Sequence, residues 1–167
     1  MHPHPCEASL PYPFTEEVEA LLRTARRSAQ RRRAAATTSA HVLEVLLATD
    51  TAVAEAIVPR DARPRLSTSL DAALGSAATT GASAEQDELP AVTTEVKRAL
   101  EHALHEARQL GAAQARPIHL ALGLLAPRPR WQFWERSDRR PAVVALQAAG
   151  IDLVRVRAAL GRVASTA

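Results

Sequence analysis

Lysine and cysteine are scarce in this chain of 167 residues, and each scarcity excludes a class of protein. Lys97 is the single lysine, and no glycine lies near it, whereas a phosphate-binding loop needs Gly-Lys-Ser/Thr after a first glycine. ATPases that use such a loop are therefore excluded. The single cysteine, Cys6, cannot form an internal disulfide, which favours a reducing compartment such as the cytoplasm.

Aromatic residues are also few, at 3% of the chain, whereas hydrophobic residues make up 47%. The core must therefore consist mainly of Ala, Leu and Val, which suits closely packed helices better than a sandwich or barrel. No apolar run reaches the roughly 18 residues of a membrane span, and residues 1–6 lack the features of a signal peptide. We expect an all-α cytoplasmic protein of one domain or two very small ones, with no membrane partner.

The net charge of +3 permits nucleic acid as a partner without implying it. One basic cluster stands out, formed by Arg26, Arg27, Arg31, Arg32 and Arg33. It fits a solvated helix end stabilised by the helix dipole, or a contact for nucleic acid or an acidic partner. No aromatic residue lies within the cluster, which weakens single-strand binding. An arginine-mediated nucleic-acid-binding helical protein is the alternative function, although nucleic acid is not the partner we expect.

The order of helix signals divides the chain into segments. Residues 1–13 hold four of the eleven prolines and predict an extended or disordered arm. Thr15 is a predicted N-cap of an amphipathic helix, and a second, buried helix is capped near Thr38 or Ser39. Shorter helices are predicted over 51–58 and 65–74, separated by Pro59 and Pro64.

A glycine-punctuated segment over 75–91 predicts a linker, after which the pattern begins again. Thr93 opens a helix that ends at Gly111, Pro117 opens a buried helix, and two further helices lie on either side of Gly150. Thr15 and Thr93 are 78 residues apart, and so are His41 and His119. This constant offset predicts an internal duplication of two four-helix motifs.

The predicted domain covers 14–164 as a pseudo-twofold arrangement of about eight helices. Repeat one spans 14–74 and repeat two spans 92–164, with an inserted loop over 127–140. The loop holds Trp131, Phe133 and Trp134 among several arginines. These rings either cover a local apolar surface or form a partner-contact loop, since Trp and Arg are enriched at binding hot spots. Deleting 131–134 would lower the melting temperature strongly only if the rings belong to the core.

The doubled pattern resembles the N-terminal domain of Clp unfoldases, also called the Clp R domain, over residues 14–164. The clearest matches lie in repeat two: residues 106–111 (Glu-Ala-Arg-Gln-Leu-Gly) resemble the end of the family's first helix, and 119–125 (His-Leu-Ala-Leu-Gly-Leu-Leu) its buried helix. Residues 149–153 (Ala-Gly-Ile-Asp-Leu) resemble its Leu-Gly-Val-Asp-Leu turn. The resemblance implies a mobile domain that receives substrates and adaptors, here without the ATPase modules.

In ClpC-type members the domain also binds phosphoarginine and antibacterial cyclic peptides. The resemblance places the phosphoarginine sites at a Phe-Thr threonine and a Gly-Thr-Glu-His glutamate in each repeat. Thr15 and Thr93 match the threonines, but Ala40 and Ile118 replace the glutamates. A guanidinium would lose a charge-assisted bond of about 1.5–3 kcal/mol at each position, so phosphoarginine binding is not expected here.

The resemblance instead implies a non-enzymatic peptide- or protein-binding surface near the two threonines. Its expected residues are Tyr12, Phe14, Thr15, Val92 and Thr93, with Val92 where some members carry an aromatic residue. The expected partners are peptides or proteins of the Clp protease system, and cyclic-peptide antibiotics. The expected roles are adaptor, modulator, or a decoy that gives antibiotic resistance by sequestering such peptides.

No cofactor, metal site or catalytic group is predicted. His41 and His119 open the two buried helices, where capping or packing is the expected role. His2, His4 and Cys6 offer three metal ligands, but a proline-rich arm does not shape a site. His102 and His105 lie three residues apart on one helix face and are expected to be exposed.

Overall fold

The computed structural model describes residues 14–78, 89–127 and 140–166. This part of the chain contains eight α-helices: α1 (Glu16–Arg31), α2 (Ser39–Thr49), α3 (Thr51–Ile57), α4 (Arg63–Ala78), α5 (Thr94–Gln109), α6 (Pro117–Leu124), α7 (Pro141–Ala148) and α8 (Leu153–Thr166). A short 3-10 helix, Arg60–Ala62, precedes α4. The predicted all-α architecture is confirmed. None of the described helices combines the length and apolarity that a membrane crossing needs.

Helix α4 corrects two boundaries. It was predicted over 65–74 with a linker from Gly75, but it begins at Arg63 and continues to Ala78. Pro64 therefore lies in the first helical turn, where a missing N–H costs little because first-turn N–H groups have no partner within the helix. Beyond Gly75 the chain continues with Ala77 and Ala78, and alanine is the strongest helix former. The linker prediction was wrong over 75–78, and residues 79–88 lie outside the described part.

The second helix of each repeat is central. All eight residues of α6 are buried, and most of α2 is buried as well. The largest fully buried side chains are aliphatic apart from two histidines, and they include Leu43, Leu46, Leu120, Leu146 and Leu160. Each such side chain contributes about 1.5–3 kcal/mol when removed from water. The core is therefore built mainly from Ala, Leu and Val side chains, as the composition predicts.

Two short parallel pairings join the repeats, and the 78-residue offset relates them. Phe14 pairs with Ala115, and Val92 pairs with Thr37. The N–H of Thr15 donates to the carbonyl oxygen of Ala115 at 3.0 Å, and the N–H of Thr93 donates to that of Thr37 at 3.0 Å. The start of each repeat is thus held against the loop between the first two helices of the other repeat.

The ends of α1 and α5 are also related by the 78-residue offset. Gly111 follows α5 with φ of 71°, as its predicted role requires, and Arg33 adopts φ of 54° at the equivalent position after α1. In both cases the next N–H reaches back five residues, from Ala34 to Ala29 and from Ala112 to Ala107. This is the Schellman arrangement, which favours glycine in the left-handed position.

Partly buried arginines tie helices together at carbonyl and carboxylate oxygens. Arg157 of α8 donates to the carboxylate of Glu106 on α5 and to the carbonyl oxygen of Leu122 on α6 at 3.0 Å. In repeat one, Arg32 forms an ion pair of 2.6 Å with Glu44 of α2. These bonds hold the central helices against their neighbours.

Candidate functional site

Thr15 and Thr93 occupy the N-cap positions of α1 and α5, as the sequence predicts, but their side chains do not cap. Each backbone is extended, and neither side chain forms a cap hydrogen bond. Both Oγ1 atoms are buried and have no hydrogen-bond partner among the described residues. A buried hydroxyl without a partner costs roughly 1–3 kcal/mol. The two threonines therefore leave equivalent polar atoms unused at the junction of the repeats.

The surroundings of Thr93 include a buried carboxylate. Glu95, in the first turn of α5, is 9% exposed, and its Oε1 accepts the backbone N–H of Ser39 at 2.8 Å. The Oγ of Ser39 in turn accepts the N–H of Ala142 on α7 at 3.1 Å. A side chain of repeat two thus accepts a backbone N–H from the first turn of α2, which belongs to repeat one. Glu17, at the equivalent position of α1, is exposed.

Thr15 lies against the loop that leads into α6. Its N–H donates to the carbonyl oxygen of Ala115, two residues before α6 begins at Pro117. Ile118, which stands where the family resemblance places a glutamate, is 5% exposed. Ala40, at the equivalent place in α2, is fully buried. Neither of these helix starts supplies a carboxylate of its own, and the carboxylate at α2 comes from Glu95 instead.

The two histidines form hydrogen bonds at the helix starts. The Nδ1 of His41 accepts the N–H of Thr38 at 3.2 Å, and the Nδ1 of His119 accepts the N–H of Arg116 at 3.0 Å. An Nδ1 that accepts a bond places the ring proton on Nε2. Both Nε2 atoms are buried and find no hydrogen-bond partner in the described part. The predicted role at the helix start is confirmed.

The same burial determines the charge of these rings. Burial is the largest cause that lowers the pKa of His41 and of His119 below the usual 6.5. A nearby guanidinium lowers and a nearby carboxylate raises each pKa to a smaller extent. Both rings are therefore neutral at pH 7, which the bond accepted by Nδ1 requires.

The predicted binding residues divide into two halves. Phe14 and Thr15 lie against Ala115, whereas Val92 and Thr93 lie against Thr37. Phe14 and Val92 are partly buried against the core. The remaining predicted contacts lie outside the described residues, as do the three ligands of the N-terminal arm: Tyr12, Trp131, Phe133, Trp134, His2, His4 and Cys6.

Other predicted features have ordinary surroundings. His102 and His105 are exposed, as expected, and His105 contacts the amide of Gln109. The residues that the structure describes contain no group of three His, Cys, Asp or Glu side chains that could hold a metal ion.

The arginine cluster is divided between internal bonds and solvent. Arg26 donates from Nε to the carbonyl oxygen of Pro90 at 3.1 Å and from a terminal nitrogen to that of Leu89 at 2.9 Å. Arg32 is paired with Glu44. Two of the five arginines thus hold the fold together.

Glu95 is the residue that sequence reasoning missed. Its place in the first turn of α5 suggests only an interaction with its own helix dipole. Its partner Ser39 lies 56 residues earlier, so only the packing of the two repeats shows the contact.

The comparisons with known proteins agree with this architecture. The family model described as the Clp repeat (R) N-terminal domain matches residues 13–126. The Hsp104 N-terminal domain of Candida albicans has a TM-score of 0.67 at 15% identity and covers 88% of each chain. The ClpD N-terminal domain of Arabidopsis thaliana has a TM-score of 0.61 at 21% identity and covers 89% of this chain and 92% of its own.

A further solved structure comes from work on a malarial protein secretion system. Its TM-score is 0.70 at 18% identity, and the match covers 92% of this chain and 96% of that one. Identities this low show a shared fold, and no curated protein sequence matches the chain. The family match covers most of the chain and both buried helices. The chain belongs to the Clp repeat (R) N-terminal domain family.

Proposed function

We propose that the protein is a non-enzymatic peptide- or protein-binding member of the Clp system, acting as an adaptor, a modulator or a decoy for antibiotic peptides. Membership of the family supports the first part, because its domains receive substrates and adaptors. The observation that carries the proposal is the pair of buried hydroxyls of Thr15 and Thr93, which have no hydrogen-bond partner within the described part of the chain.

Each hydroxyl lies beside extended backbone and a partly buried apolar side chain. Phe14 precedes Thr15, and Val92 precedes Thr93. Because these oxygens are buried in the free protein, a bound peptide would have to displace the atoms that cover them. It would then place a polar group on the hydroxyl and an apolar side chain on Phe14 or Val92. Binding by this arrangement is an equilibrium with no covalent step, so the affinity arises from satisfying a group that the described residues of the free protein leave unpaired.

The two halves of this surface are expected to bind unequally. Glu95 lies two residues after Thr93, and its carboxylate already orders the start of α2 through Ser39. The half around Thr15 has Ile118 at the equivalent helix start. We expect the Thr93 half to favour peptides with a positive or donor-rich group, and the Thr15 half to favour neutral ones.

Substituting valine for each threonine tests the proposal, since valine keeps the shape and removes the hydroxyl. Thr15→Val and Thr93→Val should raise the free energy of unfolding by about 1 kcal/mol, because an unpaired buried hydroxyl disappears. Both variants should also bind two probes more weakly in calorimetric titrations. The probes are a reduced and alkylated, permanently unfolded protein and a cyclic-peptide antibiotic. Thr24→Val is the control, because its exposed hydroxyl already bonds to the carbonyl oxygen of Ala20 at 2.8 Å.

Absence of binding to every probe by the unaltered protein would remove the proposal. Equal binding by the valine variants and the unaltered protein would move the binding surface away from the two threonines.

A further inference from the structure

Three arginines form a continuous line on the exposed face of α1. Arg23, Arg27 and Arg31 lie four residues apart and are all exposed. Four residues of helix rise about 6 Å, so this arginine stripe is about 12 Å long. The small residues Ala20 and Thr24, which share the face, are exposed as well and leave the guanidinium groups accessible.

The stripe is not neutralised within the described part of the chain. The ion pairs found there involve Arg32, Arg65, Arg155 and Arg157, and none involves a member of the stripe. Like charges four residues apart destabilise a helix by roughly 0.2–0.5 kcal/mol per pair. The helix dipole accounts for Arg31 in the last turn but not for Arg23 or Arg27.

The fold does not require these charges. The 78-residue offset relates the stripe to Glu101, His105 and Gln109 on the exposed face of α5. Both helices end in the same turn and pack against an equivalent buried helix. The stripe is therefore particular to repeat one, since the equivalent helix of repeat two forms without it.

We propose that the arginine stripe docks a negatively charged helix of a partner protein, with Asp or Glu at four-residue intervals. Carboxylates at that interval repeat every 6 Å, which matches the spacing of the guanidinium groups. Arginine is suited to this role because its planar fork binds a carboxylate through two parallel bonds. The inference concerns α1 alone and goes beyond the proposed function around Thr15 and Thr93.

The charge pattern of α1 favours a short acidic helix over a nucleic acid. The first turn of the helix holds Glu16, Glu17 and Glu19, so the positive stripe ends against negative charge after about two turns. A long polyanion that follows the helix would be repelled there, whereas a partner helix of limited acidic length would not. Base stacking would also need aromatic residues, and the exposed face of α1 has none.

Fluorescence anisotropy on the full chain tests the proposal with a labelled, end-capped (Glu-Ala-Ala-Ala)₄ peptide and its glutamine counterpart. The unaltered protein should bind the glutamate peptide, and the triple variant R23Q/R27Q/R31Q should bind it about tenfold more weakly at 50 mM salt. The control triple variant R60Q/R63Q/R162Q loses the same charge from exposed positions and should change binding less than twofold. The double variant T15V/T93V should bind the acidic peptide as tightly as the unaltered protein. This measurement separates binding at the arginine stripe from binding at the two threonines, so either proposal can fail without the other.

Three outcomes would overturn the proposal. Equal weakening in both triple variants would assign binding to net charge. Tighter, steeply salt-dependent binding of single-stranded oligothymidylate, lost in the stripe variant, would make the partner a nucleic acid. Self-association in sedimentation runs, abolished by the stripe variant, would make the partner a second copy of the chain.

Discussion

Gly123 lies at a close contact between α5 and α6, and replacing it with alanine should destabilise the protein. A Cβ atom at this position would lie 2.1 Å from the carbonyl oxygen of Ala99 and 2.9 Å from the backbone nitrogen of Ala103. Both atoms belong to the backbone of α5, so no side-chain rotation can relieve the contact. The helices would have to separate by roughly 1.5 Å to reach ordinary packing distances.

The expected loss follows from two opposing effects. Overpacking a close helix contact costs about 3 kcal/mol, and α6 has no free side to move toward because all of its residues are buried. Alanine in place of glycine favours the helix by about 1 kcal/mol. The net loss is about 2 kcal/mol, which lowers the melting temperature by roughly 4–8 °C for a chain of this size. Repeat one holds Val45 at the equivalent position, so this close approach belongs to repeat two.

Urea denaturation followed by far-ultraviolet circular dichroism measures the change. Gly161→Ala in α8 is the matched control, because the added Cβ would have no atom within 4 Å among the described residues beyond its chain neighbours and its own helix backbone. The control should gain up to about 1 kcal/mol, so the two glycine-to-alanine changes should move stability in opposite directions. A Gly123→Ala protein as stable as the unaltered one would show that α5 and α6 do not pack at this distance.

Three further predictions use the same denaturation assay. Arg33→Gly should raise the free energy of unfolding by about 1 kcal/mol, since glycine adopts the left-handed conformation without strain; no gain would contradict this. Lowering the pH from 7.5 to 5.5 should reduce stability, because burial lowers the pKa values of His41 and His119 below 6.5 and the unfolded chain then binds more protons. The neutral histidines contribute their full stabilisation above pH 6.5. A free energy of unfolding that does not change between pH 7.5 and 5.5 would contradict this prediction. Arg157→Met should cost about 2 kcal/mol by breaking the ties of α8 to α5 and α6, whereas Arg155→Met, at an exposed ion pair, should stay within about 0.5 kcal/mol.

Local features were predictable because their causes lie within a few residues. Pro117 at a helix start and Gly111 after a helix end are such signals, and the equal spacing of His41 and His119 revealed the duplication. The extension of α4 past Gly75 is not apparent from the sequence, because glycine is a poor helix former and only the alanines that follow it offset its cost.

Contacts between distant segments were not predictable from the sequence. The bond from Arg26 to Pro90 spans 64 residues, and the bond from Ser39 to Glu95 spans 56. Arginine and glutamate side chains are ordinarily exposed on helices. Here the start of each repeat pairs with a loop of the other repeat, and this packing brings Arg26 and Glu95 to their backbone partners. The unused hydroxyls of Thr15 and Thr93 were hidden for the same reason, since an N-cap threonine usually bonds within its own helix.

The pseudo-twofold relation explains why the two repeats can differ in chemistry while sharing a backbone. Each repeat start is held by the loop of the other, so the pairings of Phe14 and Val92 must be preserved together. The exposed faces of α1 and α5 take part in neither pairing, and nor does the carboxylate that bonds to the start of α2. These positions can therefore differ between the repeats. Glu95 is therefore buried while Glu17 is exposed, and one face carries the arginine stripe while its counterpart does not. Ligand preference should therefore follow these asymmetric positions rather than the backbone that the two repeats share.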